Sequence, residues 1–248
     1  DRAYATSIFN AGATVGALAA PVTIPVIAKM WGWEMSFIII GALGFVWMGF
    51  WAFIYDKPEK QSKVNAAELA YIQSDQESTD PVEEEVEKVQ ETKKISFKDA
   101  FRYKQTWAFA AGKFMTDGVW WFFLFWAPAY LSSVYGIKSS DTEGQLAIFV
   151  LYAITLLSII GGWLPSYFVE KKGMNPYAGR MKAMLIFAFF PLLALLAQPL
   201  GHISYWVPVI IIGIAGAAHQ AWSANIFSTI GDMFPKKAIA TITGIGGM

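Results

Sequence analysis

The sequence predicts an all-α polytopic membrane protein with at least six transmembrane helices, and four observations carry that fold class. The 248-residue chain is 55% hydrophobic and only 15% charged, where a soluble domain carries about 25% charge. Its apolar residues gather into runs of roughly 20, the length a helix needs to cross the hydrocarbon core of a bilayer. The runs are apolar on all faces, unlike an amphipathic soluble helix, and lack the alternation of barrel strands. Aromatic residues make up 16% of the chain, as expected of a protein with aromatic belts at two interfaces.

The spans follow in order. The first runs from Tyr4 to Ala28 and contains Gly12 and Gly16, a G-x-x-x-G spacing that lets two helices approach closely. The second, Met35 to Tyr55, has no charge. The third covers Trp107 to Leu131, the fourth Leu146 to Phe168, the fifth Ala183 to Leu200 and the sixth Tyr205 to Ile230. A seventh begins near Ala238. The chain opens inside one apolar helix and stops inside another, so a piece of a longer polypeptide is expected. The first span has no basic n-region or small-residue cleavage site, so it is not a secretory signal.

Lysine and arginine give the spans a direction. Arg2, the basic residues from Lys57 to Lys104, Lys171, Lys172, Arg180, Lys182, Lys236 and Lys237 fall on one side. That is 16 of the 19; Lys29 and Lys138 fall on the other, and Lys113 lies inside a span. The positive-inside rule makes the first side cytoplasmic. The long loop from residue 56 to 104 is on that side. Its centre, Asp80-Pro-Val-Glu-Glu-Glu-Val-Glu-Lys, reads as solvated chain, either a tether between helical bundles or a binding segment. Asn65-Ala-Ala-Glu68 and Ser96-Phe-Lys-Asp99 resemble helix N-caps. The helix after Ser96, with Phe97 and Phe101 beside Lys98 and Arg102, is suited to the membrane surface.

Lys113 and Asp117 are the only charges well inside a span, and their spacing puts both on one helical face. Each charge at a helix centre costs about 2.5–3.5 kcal/mol on insertion scales. Such a pair is a self-neutralising salt bridge, an interfacial pair that snorkels out, or a site where Lys113 meets an anionic substrate and Asp117 holds or releases it. Trp120, Trp121 and Leu124 continue that face; the two indoles suit stacking on a substrate or contact with lipid and helices. The sixth span carries His219, Gln220, Ser223 and Asn225, and the first carries Asn10. Polar groups at mid-span either join helices or bind ligand. His219 is a weaker candidate for carrying protons, and Asp232 with Lys236 and Lys237 reads as an end-of-helix charge network.

Other chemistries are excluded. The chain has no Cys and two His, so thiolate and His-rich metal sites are not expected, and no cofactor is called for. No G-x-S-x-G elbow, H-E-x-x-H helix or Walker A loop is present, so no enzyme is expected. The basic residues are not gathered with stacking aromatics in a soluble domain, so nucleic acid is not an expected partner.

Several strings resemble the anion:cation symporter family of the major facilitator superfamily. Phe9-Asn10-Ala-Gly12-Ala-Thr-Val-Gly16-Ala-Leu-Ala-Ala-Pro21 is similar to its helix five. Gly32-Trp33-Glu34-Met35-Ser36-Phe37 resembles its G-W-R-x-x-F signature, with Glu34 in place of Arg, and Tyr55-Asp-Lys-Pro58 with Glu68-Leu-Ala-Tyr71-Ile72 resembles the segment after helix six. The stretch from Gly112-Lys113 through Thr116-Asp117 and Trp120-Trp121 to Pro128 looks like helix seven of hexuronate transporters, and His219-Gln220-Ala-Trp222-Ser223 like their helix ten.

The resemblance implies a partial major facilitator fold. Residues 1–55 would be the last two helices of the N-terminal bundle, 56–104 the cytoplasmic inter-bundle loop, and 105–248 helices seven to ten and the start of eleven. It implies proton-coupled uptake of a sugar acid such as galacturonate or glucuronate across a bacterial inner membrane. Substrate-binding candidates are Lys113, Asp117, Trp121, Asn10, Gln220, Ser223 and Asn225. Relatives that carry aldonates tend to have Gln where this chain has Lys113. Ala13 stands where some sugar-acid transporters place a binding Gln. The family's proton-coupling acids belong to helices one and four, outside this chain. Transport of another organic anion, or a non-transporting receptor or scaffold with the same fold, are the alternatives.

Overall fold

The computed structural model describes residues 2–74 and 96–248. The acidic centre of the long loop lies outside the described residues, as do the side chains of Asn10, Lys236 and Lys237. Every regular element among the described residues is helical: α1 (Arg2–Trp31), α2 (Trp33–Ile54), α3 (Ala66–Ser74), α4 (Phe97–Ala100), α5 (Lys104–Tyr135), α6 (Thr142–Lys172), α7 (Pro176–Leu200), α8 (Trp206–Met233) and α9 (Lys236–Gly246). In α6 and α7 the ladder tightens to 3₁₀ geometry over Leu156–Ile159 and Phe190–Leu196. Pro191 lacks the N–H that an α-helical ladder would use there.

Among the described residues five helices, α1, α2, α6, α7 and α8, are long and apolar enough to cross a membrane. The span expected at 107–131 is also a helix, and at 32 residues α5 is the longest of them. It contains Lys104, Lys113 and Asp117, and its charge-free stretch after Asp117 carries Trp, Tyr, Ser and Pro residues. The fifth span begins earlier than its hydropathy suggests. Asn175 caps α7, its Oδ1 accepting from the Tyr177 N–H at 3.0 Å, and Pro176 follows at the first helical position, where its missing N–H costs nothing. Gly136 and Gly173 end α5 and α6 with φ of 71° and 63°, the left-handed terminus that glycine adopts without strain.

The chain divides into two compact units, Asp1–Pro25 with Ile95–Met248, and Val26–Lys94. In the first unit α8 is the central element. Its Val209, Ile212 and Ala215 pack with Leu131 and Leu151, its Ala218 and Ala221 with Phe168 and Phe187, and its Ile226 and Ile230 with Phe109 and Ile242. Two-thirds of its most apolar window, 67%, is buried. Near its end Arg180 of α7 pairs with Asp232 at 2.8 Å, so the partner seen for Asp232 is on another helix. Helix α4 is one turn, with no side-chain cap from Ser96. Its neighbour Phe101 meets the Trp107 ring, and the Trp107 Nε1–H donates to the Phe101 carbonyl at 2.8 Å.

In the second unit α2 buries none of its most apolar window; Phe37 and Phe53 are 73% and 92% exposed. A helix apolar on all faces and left uncovered takes lipid or other helices as its solvent. Asn65 caps α3 as expected, its Oδ1 accepting from the Glu68 N–H at 2.8 Å.

Candidate functional site

The site is built where α5 and α8 lie against each other. The four-residue spacing of Lys113 and Asp117 produces an ion pair, Nζ to Oδ1, at 2.5 Å. The two ends differ: the Lys113 side chain is 6% exposed and that of Asp117 42%. Lys113 also lies 4.4 Å from the centre of the Phe227 ring on α8, so its charge faces a carboxylate and an aromatic quadrupole. Close approach of the two helices is set at Gly112, where a Cβ would come 2.8 Å from Ile226 Cδ1.

One turn further along α5, the Thr116 carbonyl lies 2.7 Å from Nε2 of His219. A carbonyl only accepts, so Nε2 carries the proton. His219 is buried and its Nδ1 has no hydrogen-bond partner among the described residues. The imidazole stacks on Trp120, centroids 6.2 Å apart and planes 11° from parallel. Trp120 in turn lines a cavity of about 730 Å³ that also touches Gly16 and Ala17 of α1, Leu124 of α5 and Tyr152 of α6. That volume falls inside the roughly 300–1,000 Å³ usual for small-molecule sites. The Tyr152 hydroxyl donates to the Leu124 carbonyl at 2.8 Å across the cavity wall.

The structure therefore brings together Lys113, Asp117, Thr116 and Trp120 of α5 with His219 and Phe227 of α8. Gln220 and Ser223 are buried on α8 beside this group, at 6% exposure each. Trp121 points elsewhere: it is 55% exposed and stacks on Phe125. Asn225 is fully buried and its amide donates to the carbonyls of Gly161 and Ala221, which ties α8 to α6. Asn10 belongs to α1. Phe227, Thr116 and Tyr152 were not candidates from the sequence. Only the register between helices shows that a phenylalanine and a backbone carbonyl meet the polar residues of another span.

A family model described as Major Facilitator Superfamily matches residues 1–248. The chain belongs to that superfamily. It is 30% identical to the "Hexuronate transporter" of Escherichia coli (strain K12), over all of this chain and 55% of that protein. It is 29% identical to the "Galacturonate transporter" of Dickeya chrysanthemi over 73% of this chain and 50% of that one. It is 29% identical to the "D-galactonate transporter" of Escherichia coli O6:H1 over 69% of this chain and 40% of that one. The chain thus spans about half the length of these curated relatives. Family and span-length helices together make it a multi-pass membrane protein.

Proposed function

We propose that this chain is part of a secondary active transporter that takes up a sugar acid, a hexuronate such as galacturonate or glucuronate, by alternating access. The observation that carries the reading is Lys113. A buried cation on a spanning helix is expensive and is placed where an anion is to be met. Its present partner, Asp117, has a side chain 42% exposed, so an incoming carboxylate has a route to the ammonium. Two relatives whose names specify hexuronate and galacturonate support the substrate class.

On this reading residues 1–55 belong to one helical bundle, 105–248 to the other, and 56–104 connect them on the cytoplasmic side of a bacterial inner membrane. Protons are the coupling ion. Lys113 binds the substrate carboxylate, Asp117 yields its place to it, and Gln220 and Ser223 offer polar groups to the hydroxyls.

The test is uptake of labelled galacturonate by cells expressing the complete gene. Uptake is expected to collapse when a protonophore removes the proton gradient, and Lys113→Ala is expected to abolish it at equal membrane abundance. Uptake unchanged in Lys113→Ala would remove the carboxylate role, and protonophore-insensitive uptake would remove proton coupling.

A further inference from the structure

We infer that Trp120 is the platform on which the substrate's sugar ring stacks, and that His219 is the residue that positions it. The inference rests on the sugar-acid reading above and adds a basis for choosing ring over open-chain substrates.

Three observations converge on this indole. It lines the cavity of about 730 Å³. It is backed by the near-parallel imidazole of His219. That imidazole is held in turn by the Thr116 carbonyl at 2.7 Å. An indole that is supported by one ring and open to a cavity keeps its plane fixed without a ligand. A pyranose presents a face of C–H bonds, which carry slight positive charge and match the negative face of an indole. An open-chain sugar acid has no such continuous face.

The spacing along α5 fits one ligand. Asp117 lies three residues before Trp120, about 4.5 Å along the helix axis. The Lys113 ammonium has already been drawn up to Asp117 by the ion pair. A ring lying on Trp120 therefore presents its carboxylate at the level of Asp117, where the Lys113 charge is found. His219 does not touch the ligand in this arrangement; it acts through Trp120.

The experiment compares KM for galacturonate, a uronate that forms a pyranose ring, with KM for galactonate, an open-chain aldonate, in cells expressing the complete gene. Trp120→Ala is expected to raise the galacturonate KM at least about tenfold, worth roughly 1.4 kcal/mol, and to change the galactonate KM far less. Trp120→Leu, which keeps apolar volume without a π face, is expected to do the same and serves if the alanine variant fails to reach the membrane. His219→Ala is expected to reduce the ring preference, and His219→Gln, which retains an N–H for the Thr116 carbonyl, to restore most of it. Equal KM changes for both substrates, or none, in Trp120→Leu would overturn the proposal. Absence of uptake of any sugar acid by the unaltered protein would instead remove the functional reading beneath it.

Discussion

The Asn225 side chain donates a 2.7 Å hydrogen bond to the carbonyl of Gly161, 64 residues earlier in the chain. The same glycine lies so close to α8 that a Cβ added to it would come 2.6 Å from the Ala221 Cα. A hydrogen bond and a backbone contact thus join α6 and α8 at one level. Removing the bond with Asn225→Ala is expected to cost about 1 kcal/mol, near the 0.6–1.7 found for bonds between membrane helices. Gly161→Ala is expected to cost more, about 1–3 kcal/mol, because the obstacle is backbone that cannot rotate aside. Thermal unfolding of the complete gene product in detergent ranks the two; a Gly161→Ala variant as stable as the parent would contradict the packing.

The helical content of this chain was legible because the bilayer imposes it: a run such as Met35–Tyr55 has no other way to satisfy its backbone. Contacts between helices were not legible to the same degree. The Gly12 and Gly16 spacing predicts a close approach, yet a Cβ at either position meets nothing within 4 Å among the described residues. Close approaches to another helix's backbone are found instead at positions such as Gly161 and Gly213, whose Cβ would come 3.0 Å from the Leu151 carbonyl oxygen. Small-residue spacing marks where a backbone is bare, and does not say which helix arrives there. Hydropathy alone places the start of α7 seven residues late because Arg180 and Lys182 depress it, while the Asn175-Pro176 cap decides where the helix begins. In the candidate site, the shared face of Lys113 and Asp117 was readable from a spacing of four. The Phe227 ring beneath Lys113 and the Thr116 carbonyl facing His219 were not, since each depends on how α5 and α8 are set against one another.

Tyr152 offers a test of the cavity wall. Its hydroxyl is bonded to the Leu124 carbonyl and its ring is buried. Tyr152→Phe keeps the ring and removes the bond, so a loss of about 1–3 kcal/mol is expected, read by thermal unfolding. Pro128 has no N–H to offer the Leu124 carbonyl in the α5 ladder, so the variant also leaves that acceptor without the bond the hydroxyl supplies, which raises the loss above that of an ordinary hydrogen bond. A loss several times larger would mean that the hydroxyl holds more than this single contact.

The ion pair yields the sharpest prediction, because its two halves are unequally buried. Removing Asp117 leaves the Lys113 ammonium, 6% exposed, beside the Phe227 ring. An ammonium left without its counter-charge inside the protein costs about 3–5 kcal/mol. Removing Lys113 leaves a carboxylate that solvent can reach, and screening reduces the cost to about 1 kcal/mol or less. Asp117→Asn is therefore expected to lower the melting temperature more than Lys113→Ala. The double variant, with no charge left, should be more stable than Asp117→Asn alone. Binding should run the opposite way. In the unaltered protein a substrate carboxylate must displace Asp117 before it reaches Lys113. In Asp117→Asn no competitor of that charge remains, so galacturonate should bind more tightly and also restore a larger share of the lost stability. Ligand-dependent thermal shifts across the four proteins measure both effects together. Equal destabilisation by the two single variants, or weaker galacturonate binding in Asp117→Asn, would show that Asp117 supports the substrate and does not stand in its place.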